Sequence, residues 1–381
     1  MIYLDNAATT FPKPVSVHNA VVNALRRYGA NPGRSGHAMS LQAAEEVYRC
    51  RSEIASFFHA PGAECIAFMP NCTHAVNTVL KGLLKPGDHV VTSCLEHNAV
   101  TRPLQKLTQH GVTFTEAQVV PGDNDATLNA FRKALNAKTK LIACTHASNV
   151  WGVRLPVGRI AVLGKEYGIP TMVDAAQSGG VVPIDLQEDP IDYLCLAGHK
   201  SLYGPMGTGV LIATAGGKEL DTLIEGGTGT NSISYLQPDM MPDRFESGTP
   251  NMPGIAGLRA GLGFVRQKGV ERIARHEFAL IQRLYGRLST MPQVILYMPK
   301  PDPRYFVPLL SFNIKGKGSE EVARRLNALG FAVRAGLHCA PAAHKFCGTL
   351  ETGAVRVCPS AFTTQWEIDA FANAVEKIKG I

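Results

Sequence analysis

The sequence predicts an α/β fold with a large, mostly parallel sheet and a smaller α+β unit near the carboxyl end, and three observations predict it. Between about residues 41 and 213, short apolar runs alternate with segments of helical periodicity. That is the pattern of strands joined by crossover helices in a sheet covered on both faces. Those runs end, one after another, in polar residues, as strands do where they open onto a ligand crevice. After about residue 255 the texture changes to two long helical patterns followed by shorter elements.

The elements follow in order. "LQAAEEVYRCRSEIASFF" places Leu41, Ala44, Val47, Ile54 and Phe57 or Phe58 on one helical face. "CIAFMP" reads as a buried strand, and "NCTHAVNTVLKGLL" as a helix with Asn71 or Thr73 near its N-cap. "HVVTSCLEHN", "KLIACTHASN", "PTMVDAAQ" and "DYLCLAGHK" are further strands. The polar ends of this region carry Thr73, His97, Asn149, Asp174, Gln177, His199 and Lys200. One polar strand end means little; several together outline a site. Beyond residue 255, "GIAGLRAGLGFVRQKGVERIARHEFALIQRLYGRL" reads as two successive helices. "VPLLSFNIKG", "SEEVARRLNALG", "FAVRAG", "GAVRVCPSAF" and "EIDAFANAVEKIK" then read as strand, helix, strand, strand and helix. The expected division is a large unit over 15–255 and a small one over 256–381 joined by 1–14.

Composition excludes several classes. At 381 residues, 45% hydrophobic and 18% charged, the chain is an ordinary globular one. The net charge of +7 is dispersed, without a run of like charges, so neither nucleic acid nor a membrane surface is an expected partner. No apolar run reaches the roughly 18 residues of a membrane span, and "MIYLDNAATT" has no basic, apolar leader pattern. Nine scattered cysteines without a C-x-x-C pair suggest neither a disulfide framework nor a metal site, and fit a reducing cytoplasm.

The chemistry centres on "VDAAQ" and "LAGHKSLYGPMGTG". A buried lysine opposite a fixed carboxylate is what pyridoxal phosphate chemistry needs: the amine forms a Schiff base, and the carboxylate keeps the pyridine nitrogen protonated. Asp174 and Lys200 supply those groups. Either residue alone reads first as half of a surface salt bridge. The helix opened by "NCTHAVN" offers amides and the Thr73 hydroxyl to a phosphate, whereas neither a Walker loop nor a dinucleotide fingerprint is present. Cys339 in "RAGLHCAP" stands apart from the other thiols. Arg334, His338 and the flanking Gly and Pro favour an exposed, thiolate-prone loop there.

"YLDNAATT", "NPGRSGH", "CTHAVN", "LEHNAV", "HASNVWG", "VDAAQ", "AGHKSLYGP", "FESGTPN" and "RAGLHCAP" occur in this order from about residue 3 to 369. This set resembles the cysteine desulfurases of the class V aminotransferase group, which are fold-type I pyridoxal phosphate enzymes. "R-x-G-x-H-C-A" resembles the subgroup that includes selenocysteine lyases. The resemblance implies Lys200 as the Schiff-base lysine, Asp174 at the pyridine nitrogen, Gln177 at the ring oxygen and His97 stacked on the ring. It implies Thr73 and His199 at the phosphate, with Thr249 reaching in from the second subunit of a homodimer. Asn149 and Arg356 would hold the substrate carboxylate, with Arg34, His37 and Arg334 near the entrance and Cys339 as nucleophile.

The implied reaction converts L-cysteine or selenocysteine to L-alanine with a persulfide on Cys339, which a sulfur-acceptor protein such as an iron–sulfur scaffold then takes up. The sequence departs from the family pattern at Ala197, where a phosphate-binding hydroxyl is usual, at Leu337, where a histidine is common, and at Cys358–Pro359. Two other readings remain open: a β-lyase or aminotransferase that uses the cofactor without Cys339, and a catalytically silent binding protein with a relict pocket. Cys347 and Cys358 could resolve a persulfide, but read first as ordinary packed thiols.

Overall fold

The computed structural model describes residues 1–33, 35–230 and 232–378. Its first half runs β1 (Ile2–Tyr3), α1 (Val15–Arg27), α2 (Ala38–Phe57), β2 (Ile66–Met69), α3 (Cys72–Leu83), β3 (His89–Ser93), α4 (Asn98–Thr108), β4 (Thr113–Ala117) and α5 (Asn124–Ala134). β5 (Thr139–Thr145), α6 (Val157–Glu166), β6 (Thr171–Asp174), β7 (Tyr193–Ala197), β8 (Gly209–Ala213), α7 (Met252–Lys268) and α8 (Val270–Leu288) follow. The chain closes with β9 (Val294–Leu296), β10 (Leu310–Ile314), α9 (Ser319–Ala328), β11 (Phe331–Ala332), α10 (Pro341–Phe346), β12 (Val355–Val357) and α11 (Gln365–Glu376). Among the described residues no helix is long and apolar enough to cross a membrane.

Seven strands form one sheet in the order β2-β8-β7-β6-β5-β3-β4. β8 runs antiparallel to both neighbours and every other pairing is parallel. All strands but β8 therefore finish at the same edge. Successive side chains of a strand point to opposite faces, and here both faces are buried. Ile142 and Cys144 enter one core with Val173, Leu194 and Leu196, while Leu141 and Ala143 enter a second with Met172, Tyr193 and Cys195. Each fully buried Val, Leu or Ile contributes about 1.5–3 kcal/mol, which is why these strands read as continuous apolar runs instead of alternating ones.

A third core gathers Leu4 with Leu280, Leu284, Leu310, Phe312, Val322, Leu326, Phe371 and Val375. It fills the space around an antiparallel sheet, β12-β10-β9, and the parallel pair β1-β11. The capping box of Thr364 and Glu367 starts α11 over this core.

One expectation changes. Leu41 is 57% exposed, whereas Ala43, Glu46, Val47, Cys50, Arg51 and Ile54 form the inward face of α2. Glu46 and Arg51 go inward because each has an ionic partner: Arg259 pairs with Glu46, and Arg51 with Glu246. Counting only apolar residues therefore misplaces the helix face. The short strands β1 and β9 carry no periodic signal, since two or three residues cannot display one.

Gly209 opens β8 directly against Asn71, the N-cap of α3, whose side chain accepts the His74 amide. A Cβ on Gly209 would lie 2.4 Å from the Asn71 carbonyl carbon. Gly209→Ala is expected to displace the amino end of α3 and destabilise the protein by about 1–3 kcal/mol, the usual cost of overpacking; urea unfolding of the variant beside the unaltered protein measures it.

Candidate active site

The loops leaving the common strand edge enclose a cavity of about 190 Å³. Thr73, His97, Asn149, Asp174, Gln177, His199 and Lys200 all line it. Each arrives from a different place in the fold: Thr73 from the first turn of α3, His97 from the N-cap of α4, Asp174 from the end of β6. His199 and Lys200 follow the end of β7.

Asp174 is buried, and its Oδ1 accepts from the Ala176 amide at 2.9 Å and from Cys72 Sγ at 3.4 Å. Burial lowers the pKa of the Lys200 ammonium, with the Asp174 carboxylate acting against the shift. His97 accepts the Ala99 amide on Nδ1 at 3.0 Å, which leaves its ring proton on Nε2 when neutral. Burial lowers its pKa, Asp174 opposes that, and Lys200, Arg334 and Arg356 add to it. His199 is pushed down to about 4 by burial and by the charges of Lys200 and Lys13, so its ring is neutral near pH 7. Thr73 presents its hydroxyl at a helix N-terminus, where free amides attract anions. Gln177 donates Nε2 to the Ala7 carbonyl at 3.0 Å.

Arg356 is 1% exposed. Its Nη2 pairs with Asp5 at 2.8 Å and its Nη1 donates to the Asn149 carbonyl at 2.9 Å. Asn149 donates Nδ2 to the His338 carbonyl at 2.7 Å. Asn149 Oδ1, His199 Nδ1 and Arg356 Nε are buried without a hydrogen-bond partner among the described residues. Such groups are costly unless something completes them.

Cys339 is exposed and lines an adjoining cleft that shares Thr73, His97 and Ala99 with the lysine cavity. Arg334 Nη2 lies 3.8 Å from its Sγ. His338 and Cys339 both adopt left-handed backbone, with φ of 50° and 55°, which is uncommon for residues with a side chain. His338 does not act as expected beside the thiol. Its ring is buried, stacks on His344 and donates Nε2 to the Ala354 carbonyl at 3.0 Å. Burial and Arg356 push its pKa down to about 2, so the ring is neutral and turned away from the loop surface. Cys347 is pushed up to about 12 by burial, and Cys358 is pushed up as well, which disfavours thiolate in both.

Thr249 is exposed and lines a separate cavity of about 240 Å³. His37 caps α2 by accepting the Ser40 amide and does not line the lysine cavity. Arg34 lies outside the described residues. Ala197 lines the lysine cavity with no hydroxyl to offer.

Sequence reasoning missed five polar contributors. Asp5 fixes Arg356. Lys13 donates from Nζ to the His199 carbonyl and to Thr10, both at 2.6 Å, and burial lowers its pKa to about 8. The pair Arg51–Glu246 joins α2 to "FESGTPN", and Glu246 also takes the Phe68 amide at 2.6 Å. Glu96, fully buried beneath His97, accepts from Ser93 and from the Thr145 amide, tying the turn after β3 to β5. A charged residue inside the apolar run "SCLEHN" was the available signal for Glu96.

Fold and cavity together define an α/β enzyme with an amine and a carboxylate at a sheet edge. Residues 2–371 match the model of the aminotransferase class-V family, and the chain belongs to that family. A probable cysteine desulfurase of Methanothermobacter thermautotrophicus is 33% identical over all of this chain and 95% of its own length. Another, from Mycolicibacterium paratuberculosis, is 34% identical over 99% of this chain, which spans only 55% of that longer protein. The apo structure of the cysteine desulfurase from Thermococcus onnurineus NA1 matches with a TM-score of 0.91 at 31% identity, covering 99% of this chain and 94% of the other. The fold-type I architecture implied by the resemblance is thus the one observed.

Burial pushes Glu96 up to about 8 from an ordinary 4.5. The folded chain therefore keeps a proton that the unfolded chain releases, so the contribution to stability is present in full below about pH 4.5 and is lost as pH rises through about 8. Glu96→Gln, which is neutral throughout, is expected to flatten this loss. Urea midpoints at about pH 5 and about pH 8 should differ less in the variant than in the unaltered protein.

Proposed function

We propose that this chain is a pyridoxal phosphate-dependent cysteine desulfurase that converts L-cysteine or selenocysteine to L-alanine and carries the released sulfur as a persulfide on Cys339. One juxtaposition carries the reading: the cavity with Lys200 and Asp174 shares a wall with the cleft that holds Cys339. The unpartnered atoms of Asn149 and His199 and the amino end of α3 fit a phosphorylated, polar-ringed group. When bound, that group supplies an electron sink that makes the Cα proton of an amino acid acidic.

The protein's own residues do the rest. Thr73, His199 and the α3 amides would hold the phosphate, and His97, which lines the same cavity, would lie against the ring. Asp174, fixed by the Ala176 amide and Cys72, would keep the ring nitrogen protonated. Lys200 would anchor the group through Nζ, and the burial that lowers its pKa suits Nζ to accept the Cα proton. Arg356 and Asn149 hold the substrate carboxylate, while Asp5 keeps the guanidinium in place. Cys339 Sγ bonds to the substrate sulfur as the carbon–sulfur bond breaks, and the carbon skeleton leaves as alanine.

The large unit over 15–255 would hold the cofactor and the unit over 256–381 with 1–14 would carry the cysteine loop. Free thiols throughout suit a reducing cytoplasm. A homodimer accords with the exposed Ile233, Tyr235 and Leu236 on the segment leading to Thr249. The second reading, a β-lyase or aminotransferase, draws on one fact: Cys339 lines the outer cleft and not the lysine cavity itself.

With L-cysteine and a thiol reductant, alanine and sulfide are expected in equal amounts, and both are lost in Cys339→Ala. Pyruvate, or alanine that survives this substitution, favours the second reading. Lys200→Ala is expected to lose the visible imine band and to slow alanine formation on the order of 10²- to 10⁴-fold; an unchanged band rejects the cofactor assignment. Light scattering should give twice the chain mass.

A further inference from the structure

The cleft on which Cys339 opens has a volume of about 350 Å³ and is lined by Thr73, Asn77, Lys81, Arg102, Lys106 and other residues of α3 and α4. Lys81, Arg102 and Lys106 are exposed, and among the described residues no carboxylate lines the cleft. Neither Lys81 nor Arg102 has a hydrogen bond or ion pair among the described residues, and Lys106 donates only to the neutral Gln109 at 2.9 Å. Arg334, at 3.8 Å from Cys339 Sγ, adds a fourth cation at the thiol. Lys81, Arg102 and Lys106 thus stand without a carboxylate partner along the open cleft whose lining includes the thiol.

Three free positive charges in a concave, acid-free wall raise the local concentration of anions and speed their encounter. We propose that this cleft receives an acidic, cysteine-bearing segment of a sulfur-acceptor protein and presents the acceptor thiol to Cys339. The inference rests on the desulfurase reading, because Cys339 must first carry a persulfide. An acidic protein segment is favoured over a compact free anion because the cations are spread over two helices along an open cleft, with the apolar Leu337 exposed beside the cysteine. Single ions need converging donors; a chain can meet charges one after another.

The transfer balances without an outside oxidant or reductant. The acceptor thiolate bonds to the terminal sulfur of the Cys339 persulfide, and the bond from that sulfur to Cys339 Sγ breaks. The electron pair stays on Cys339 as thiolate, and the proton on the terminal sulfur stays with it on the acceptor.

The experiment uses the holoenzyme with L-cysteine and measures alanine with three sulfur acceptors: dithiothreitol, a cysteinyl peptide flanked by glutamates, and the same peptide flanked by lysines. At low salt the acidic peptide is expected to react about tenfold faster than the basic one, a modest instance of electrostatic steering. The advantage should collapse at high salt. It should also collapse in Lys81→Gln/Arg102→Gln/Lys106→Gln, while turnover with dithiothreitol stays unchanged. Equal rates for the two peptides, or an acidic preference that persists in the triple variant, overturn the cleft assignment while leaving the desulfurase reading intact. Absence of alanine even with dithiothreitol overturns the desulfurase reading, and this inference with it. The salt comparison needs no variant, so it stands even if the triple substitution impairs folding.

Discussion

The structure depends on one constraint: strands that run in parallel all finish at one edge, and that edge must hide polar groups that the sheet itself cannot satisfy. Asp174, Glu96 and Lys200 are buried or half-buried there, and burying charge without partners is expensive. The protein meets the cost locally. The Ala176 amide and Cys72 take Asp174, Ser93 and the Thr145 amide take one oxygen of Glu96, and burial lowers the pKa of Lys200. What stays incomplete, at Asn149, His199 and Arg356, is where a ligand would finish the network.

Packing behind the site serves the same end. Two cores clamp the sheet between helices, so the strand ends cannot shift independently. Asp5, from the segment after β1, reaches Arg356 just inside β12. This contact joins the two ends of the chain, and the parallel pairing of β1 with β11 sets its geometry.

Much of this was legible in the sequence, for identifiable reasons. Continuous apolar runs such as "KLIACT" could only be strands buried on both faces, and their polar ends marked the site edge. Asn71 was readable as a cap because its side chain does what caps do. The pairing of Ile2–Tyr3 with Phe331–Ala332 was not readable, since it joins distant segments too short for periodicity. The inward turn of His338 was hidden too: the sequence places it beside Cys339, but left-handed backbone at both residues sends the two side chains to different surroundings. Glu46 and Arg51 show the remaining limit. A charged residue faces inward when a distant partner waits there, and no local pattern announces the partner.

The cysteine loop is pinned on several sides. Asn149 holds the His338 carbonyl, the Asn98 amide holds the Cys339 carbonyl at 2.7 Å, and the Ala340 amide closes a turn onto Leu337. A thiol on so anchored a backbone moves little beyond its own side-chain rotation. It cannot swing out to meet a recipient, as a carrier arm would. The conformational search in any handover must then belong to the recipient, which has to bring a flexible tip to a stationary donor. Such an arrangement would leave the donor indifferent to the recipient's overall shape and demanding about the reach and the charge of that tip.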